Sequence, residues 1–237
     1  MRKLIATLVV LALLLAGADI AGRLIAQQKA SQALGSELTT PHDPSVRIGG
    51  FSFLAQAVRG DYSHLTISAD DLTLGPVDGA RMQADLYEVS FPLSDALSGT
   101  LQHLTAGRAQ LNATIPGSAL ARALGQPGLT LTPGGDGVVQ MHTTVAVAGR
   151  TFPVTVDVLM SVSDDVLHLA ARPVQAAGVD VPGAVSSALQ QRLTSTIPLS
   201  VLPFPLDAAT VTASDGNLLV DASATDVPIG QLVAAAS

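Results

Sequence analysis

From Val46 onward the chain is patterned in twos, and that pattern confines it to a mostly antiparallel sheet. Val46 and Ile48 flank Arg47 ahead of Gly49-Gly50; Leu65, Ile67 and Ala69 alternate with Thr66 and Ser68; Arg81 to Phe91 and Leu101 to Ile115 repeat the theme. Alternation bounded by Gly, Pro and Asp marks half-buried strands. Further on, Val139, Met141, Val145 and Val147 form one face and Ala148-Gly149-Arg150 turns. Phe152, Val154, Val156, Val158 and Met160 form the next face, and Ser163-Asp164-Asp165 turns into Val166 to Ala170. Such short connections fit a meander. A last hairpin runs from Ala209 to Ala213 and from Leu218 to Ala222 about Asp215-Gly216-Asn217.

The inner side of such a sheet needs cover, and helical segments supply it. Asp19 to Leu38 reads as a weakly amphipathic helix with Ile20, Leu24, Leu34 and Leu38 near one face, interrupted by Gln27 and Ser31 and stopped by Pro41 and Pro44. Phe51 to Val58 is a compact apolar turn of one or two helical turns. Pro116 to Leu124 is a short helix ahead of Gly125, and Val181 to Leu193 is another, closed by Ile197-Pro198. The fold class expected is α+β, a long curved antiparallel sheet wrapped on a few helices. Residues 19–237 are read as one domain, long enough to bury a core without disulfides, which a chain with no cysteine cannot form.

The N-terminus carries the parts of a secretory signal: Arg2 and Lys3, an apolar run from Leu4 to Leu15, then Ala16-Gly17-Ala18. Residues 1–18 are accordingly expected to leave after Ala18. The alternative is an uncleaved anchor reaching Leu24 and Ile25, with Asp19 and Arg23 interrupting it. Either way the body is placed in the periplasm or on the outer face of the cytoplasmic membrane.

A formal charge of −7 and an aromatic content of 3% disfavour nucleic acid, which calls for a basic stripe and stacking rings. They also disfavour a polybasic grip on anionic lipid. His42, His64, His103, His142 and His168 stand without metal-ligand spacing, so no metal is expected. Gly134 to Gly137 reads as a β-turn. Asp70-Asp71 and Asp164-Asp165 read as solvated carboxylates. No nucleophile elbow and no phosphate-cradling loop is present, which argues against an enzyme and against a cofactor. What remains is apolar surface: Phe51, Phe53 and Leu54 beside Gly49-Gly50, and Leu202-Pro203-Phe204-Pro205-Leu206. Each segment either plugs the sheet or rims a groove or bilayer contact.

Val46-Arg47-Ile48-Gly49-Gly50-Phe51-Ser52-Phe53-Leu54-Ala55-Gln56 resembles the opening motif of the LmeA-like family of actinobacterial envelope proteins, with Ser52 where that family usually carries Pro. Phe91 to Leu97, and the ending from Leu202 through Asp215-Gly216 to Pro228-Ile229, extend the likeness over nearly the whole chain. The resemblance implies an exported phospholipid-binding protein of tubular lipid-binding type, with phosphatidylinositol-type lipid and the membrane surface as partners, tied to mannan elongation on lipoglycan. It carries no catalytic residues. Small residues on the helices would leave a slot for acyl chains, each buried methylene contributing about 0.8 kcal/mol. The lipid-contact candidates are Phe51, Phe53, Leu54, Val185, Leu189, Leu202 and Phe204. Candidate phosphate contacts are Arg47 and Arg59, with Arg81 and Arg108 as further basic positions.

Overall fold

The computed structural model describes residues 2–37, 42–74, 76–98, 100, 103–126, 128–135, 137–147, 150–163, 166–172, 195–198 and 208–230. The helix Val181–Leu193, the segment Leu202–Leu206 and the pair Asp164-Asp165 lie outside them.

The α+β antiparallel architecture is present, and its strands are shared between two sheets. Helix α1 (Arg2–Glu37) leads into β1 (Ser45–Ile48), α2 (Phe53–Arg59), β2 (Asp61–Leu74), β3 (Val77–Ser90), α3 (Leu93–Ser98) and β4 (Thr105–Pro116). Then come α4 (Gly117–Ala123), β5 (Thr130–Pro133), β6 (Val138–Val147), β7 (Arg150–Ser163), β8 (Val166–Ala171), β9 (Ser195–Pro198), β10 (Ala208–Ser214) and β11 (Asn217–Val227). One sheet has the order β1-β2-β3-β4-β11-β10 and the other β5-β6-β7-β8-β9; among the described strands every pairing is antiparallel and neither sheet closes on itself. Two details depart from the sequence reading. Arg150 opens β7 instead of turning, and Ile197-Pro198 belongs to a strand paired with β8, where an edge position tolerates proline.

Alternation fixes which side is buried. Met82, Ala84 and Leu86 of β3 and Val154, Val156, Val158 and Met160 of β7 all point into the core. Thr143 breaks the apolar face of β6, yet it is buried and donates its hydroxyl to Gln126 at 3.4 Å. One connected set of buried side chains runs through both sheets, with β10 packed on β5, β6 and β7. Helix α4 also bridges the sheets: Ala119, Leu120 and Ala121 are buried where it packs against β3, β4 and β5. Its small residues are packed into the core.

Helix α1 is longer than expected and docks by a different face. The helix is continuous over 36 residues. Asp19, Gly22, Arg23, Ala26, Gln27, Ala30, Ser31 and Leu34 are turned toward the body, whereas Ile20 and Leu24 are exposed. Of the expected apolar face, Ile20 and Leu24 therefore point outward, Leu34 turns inward, and Leu38 lies outside the described residues. Contact with the body is made instead by small residues and polar links, among them the Ser31 hydroxyl to the Pro44 carbonyl.

Candidate functional site

The Gly49–Gly60 segment folds into a tight knot held by a set of polar links. Ser52 caps α2 by accepting from the Ala55 amide at 3.2 Å, and it donates to Asp19 Oδ1 at 2.8 Å. The same carboxylate oxygen accepts from the Leu54 amide at 2.7 Å. Arg23 donates to the Gly50 carbonyl at 3.0 Å. The residue that departs from the family motif thus adds a side-chain link from α2 to α1 that a proline could not make.

Gln56 was part of the motif but had no role assigned from sequence. It is buried, and its amide nitrogen donates to the Gly49 and Ser52 carbonyls at 3.0 and 3.1 Å while its oxygen accepts from the Ser63 amide and hydroxyl at 3.0 and 3.2 Å. A side chain at Gly50, where φ is +98°, would meet Gln56 Nε2 at 2.6 Å. Gly60 closes α2 in the left-handed conformation that favours glycine.

The two phenylalanines of the knot have opposite fates. Phe53 is 9% exposed, facing Gly22 of α1 and lying 6.4 Å from the Tyr62 ring. Phe51 is 104% exposed, and Val58 is 75% exposed. Leu54 is half-buried against the core. Of the three apolar residues singled out together, Phe53 is a plug, Leu54 is an intermediate and Phe51 is a tip.

Beside this tip opens a cleft of about 640 Å³, lined by Phe51, Ser52, Ala55, Gln56, Arg59, Asp61, Tyr62, Ser63, Glu88 and Val89. Its only cationic lining residue is Arg59, against two carboxylates, Asp61 and Glu88. Glu88 takes a left-handed φ of 54°, a strained choice for this residue type, and it faces Gly107, where any side chain would meet its carboxylate. Burial pushes the Tyr62 phenol up. The arrangement offers an aromatic rim, one cation and two acceptors: it suits a headgroup bearing both a phosphate and hydroxyl or ammonium donors better than a bare anion. Arg47 is exposed on the edge strand β1 and Arg81 on the outer face of the sheet, and neither lines the cleft; Arg108, also exposed and outside the lining, lies 3.8 Å from the Glu88 carboxylate at its edge. Val185, Leu189, Leu202 and Phe204 lie outside the described residues.

The hairpin register also forms a cluster that sequence spacing hid. His64 Nε2 lies 3.0 Å from Asp85 Oδ1, Thr66 donates to the same oxygen at 2.7 Å, and His64 stacks on Tyr87 at 4.7 Å. Burial raises the Asp85 pKa, but hydrogen bonds from Gln83, Thr66 and His64 outweigh it and leave the carboxyl below its ordinary range. A catalytic triad would use one ring nitrogen for the acid and the other for the hydroxyl. Here Nε2 meets both, since Thr66 lies 3.3 Å from it. A second pair, His103 Nδ1 to Asp95 at 2.7 Å, lowers the Asp95 pKa in the same way. Asp70 and Asp71 are exposed at a bulge of β2, where Asp71 takes a φ of 56°. Among the described residues no group of three metal-ligating side chains converges. Among them also, no helix is long and apolar enough to cross a membrane, and most side chains of the Leu4–Leu15 run lie outside that description.

Residues 17–223 match the LmeA-like phospholipid-binding family, and the chain belongs to it. No curated protein matches the chain. Membership supports a lipid-binding role.

Proposed function

We propose that the chain is an exported, non-catalytic phospholipid-binding protein of the cell envelope, working in the periplasm or on the outer face of the cytoplasmic membrane. The observation that carries this reading is the position of the family's opening motif. In a chain matched to a phospholipid-binding family, that motif builds a rigid knot with one fully exposed ring, Phe51, at the mouth of a cleft. The ring enters the lipid interface, Arg59 contacts the phosphate, and Asp61 and Glu88 accept hydrogen bonds from headgroup hydroxyls. That pairing of one cation with two acceptors favours a phosphatidylinositol-type lipid and agrees with a role in supporting mannan elongation on lipoglycan.

Mass spectrometry of organic extracts from the purified protein tests this. Phospholipid recovered at close to one molecule per chain, enriched in inositol lipid over the host membrane, is the expected result. Extracts with no lipid above the level of an unrelated envelope protein would overturn it. That outcome would favour the second reading, an assembly partner of envelope glycan synthesis docking through the open sheet edges at β1 or β10.

A further inference from the structure

We infer that α1 stays on the working protein as a bilayer anchor, locked to the lipid-binding knot at Asp19, instead of being removed after Ala18. The inference rests on the proposed export and does not depend on lipid binding in the cleft.

The boundary between free and docked helix falls at the expected cleavage point. Ala12 to Ala18 are exposed all round, and Leu13, Leu14 and Leu15 are between 57% and 68% exposed. Among the described side chains, the body first takes hold at Asp19, through Ser52 and Leu54. Read as a string, Asp19 and Arg23 spoil an apolar segment. Folded, both are turned inward: they lie 3.6 Å apart, with Asp19 on α2 and Arg23 on the Gly50 carbonyl. The outward side keeps Ile20, Leu24 and Ile25, each 60% to 62% exposed, at the spacing of one helical face that continues from Leu13 through Gly17.

Removal of residues 1–18 would leave that stripe bare in water. A bilayer covers it. From Leu4 to Ile25 the helix measures about 33 Å at the α-helical rise, close to the roughly 30 Å of a hydrocarbon core. Arg2 and Lys3 stand at the cytoplasmic end as retained positive charge. The knot held at the other end then places Phe51 at the boundary of headgroups and acyl chains, where an exposed apolar ring is buried.

The test uses the full chain expressed in its host. Membranes are extracted with alkaline carbonate, and tryptic peptides of the protein are sequenced. The expected result is retention in the carbonate-resistant pellet with the peptide Leu4–Arg23 intact across Ala18-Asp19. A soluble envelope protein beginning at Asp19 would overturn the anchor while leaving lipid binding untouched, and cytoplasmic protein would overturn the export on which the anchor rests. The double variant Ile20→Glu, Leu24→Glu should lower the carbonate-resistant fraction about tenfold with an unchanged melting temperature. A large fall in melting temperature would mean that the body itself covers this face, and loss of a detergent-stable dimer would mean that a second copy does. Either result overturns the inference.

Discussion

Phe51 and Phe53 stand two residues apart in one knot, and the difference between them separates what holds this protein together from what it presents. Phe53 faces inward onto Tyr62 and Gly22, next to the four-way amide of Gln56. Phe51 makes no comparable packing and is fully exposed. An apolar ring buried in the core stabilises by area removed from water and by contacts. One left outside contributes only to an interaction made beyond the fold. The knot is thus a stiff mount with a loose tip.

The sharpest way to break this contrast is to place a carboxylate on each ring position in turn. Phe53→Asp buries an unpaired charge in a packed site and should cost more than the roughly 3–5 kcal/mol expected of Phe53→Ala, read as a large fall in melting temperature. Next in size, Gln56→Leu keeps the volume but strands the Gly49 carbonyl and the Ser63 amide, costing about 2–3 kcal/mol in urea unfolding. Phe51→Asp should change stability by no more than about 0.5 kcal/mol while weakening association with inositol-lipid vesicles severalfold. A melting shift for Phe51→Asp as large as that for Phe53→Asp would erase the distinction.

The smallest effect lies away from the knot, in acid. Asp85 and Asp95 have folded pKa values below the unfolded one, so their stabilisation is present above about pH 4 and is lost as pH falls through the folded values. Asp85→Asn should flatten that acid limb in a melting series from pH 6 to pH 2.5 and leave vesicle binding at pH 7 unchanged. A loss of binding would link the outer face of the sheet to the tip.

The strands were legible because Val, Ile and Thr alternate over enough residues to fix the face. Their partition into two sheets was not, since β11 returns from the far end of the chain to pair with β4. The knot was legible as a turn, but a helical turn has no period of two to say which ring goes inward. The docking face of α1 was hidden more deeply: its anchor is the Asp19 carboxylate on the Leu54 amide, 35 residues away, and polar links at that range leave no periodic trace. His64 and Asp85 likewise meet only through the β2–β3 register.

The central claim is that phospholipid binds at the knot, and a phospholipid carrying a photoactivatable group on its headgroup addresses it directly. After irradiation of the full-length protein in vesicles, adducts mapped by peptide mass spectrometry should concentrate within Phe51–Ser63 and fall sharply in Phe51→Asp. Adducts confined to residues 2–25, or spread evenly over both sheets, would show a membrane-associated protein without a lipid site at the knot and would contradict the account.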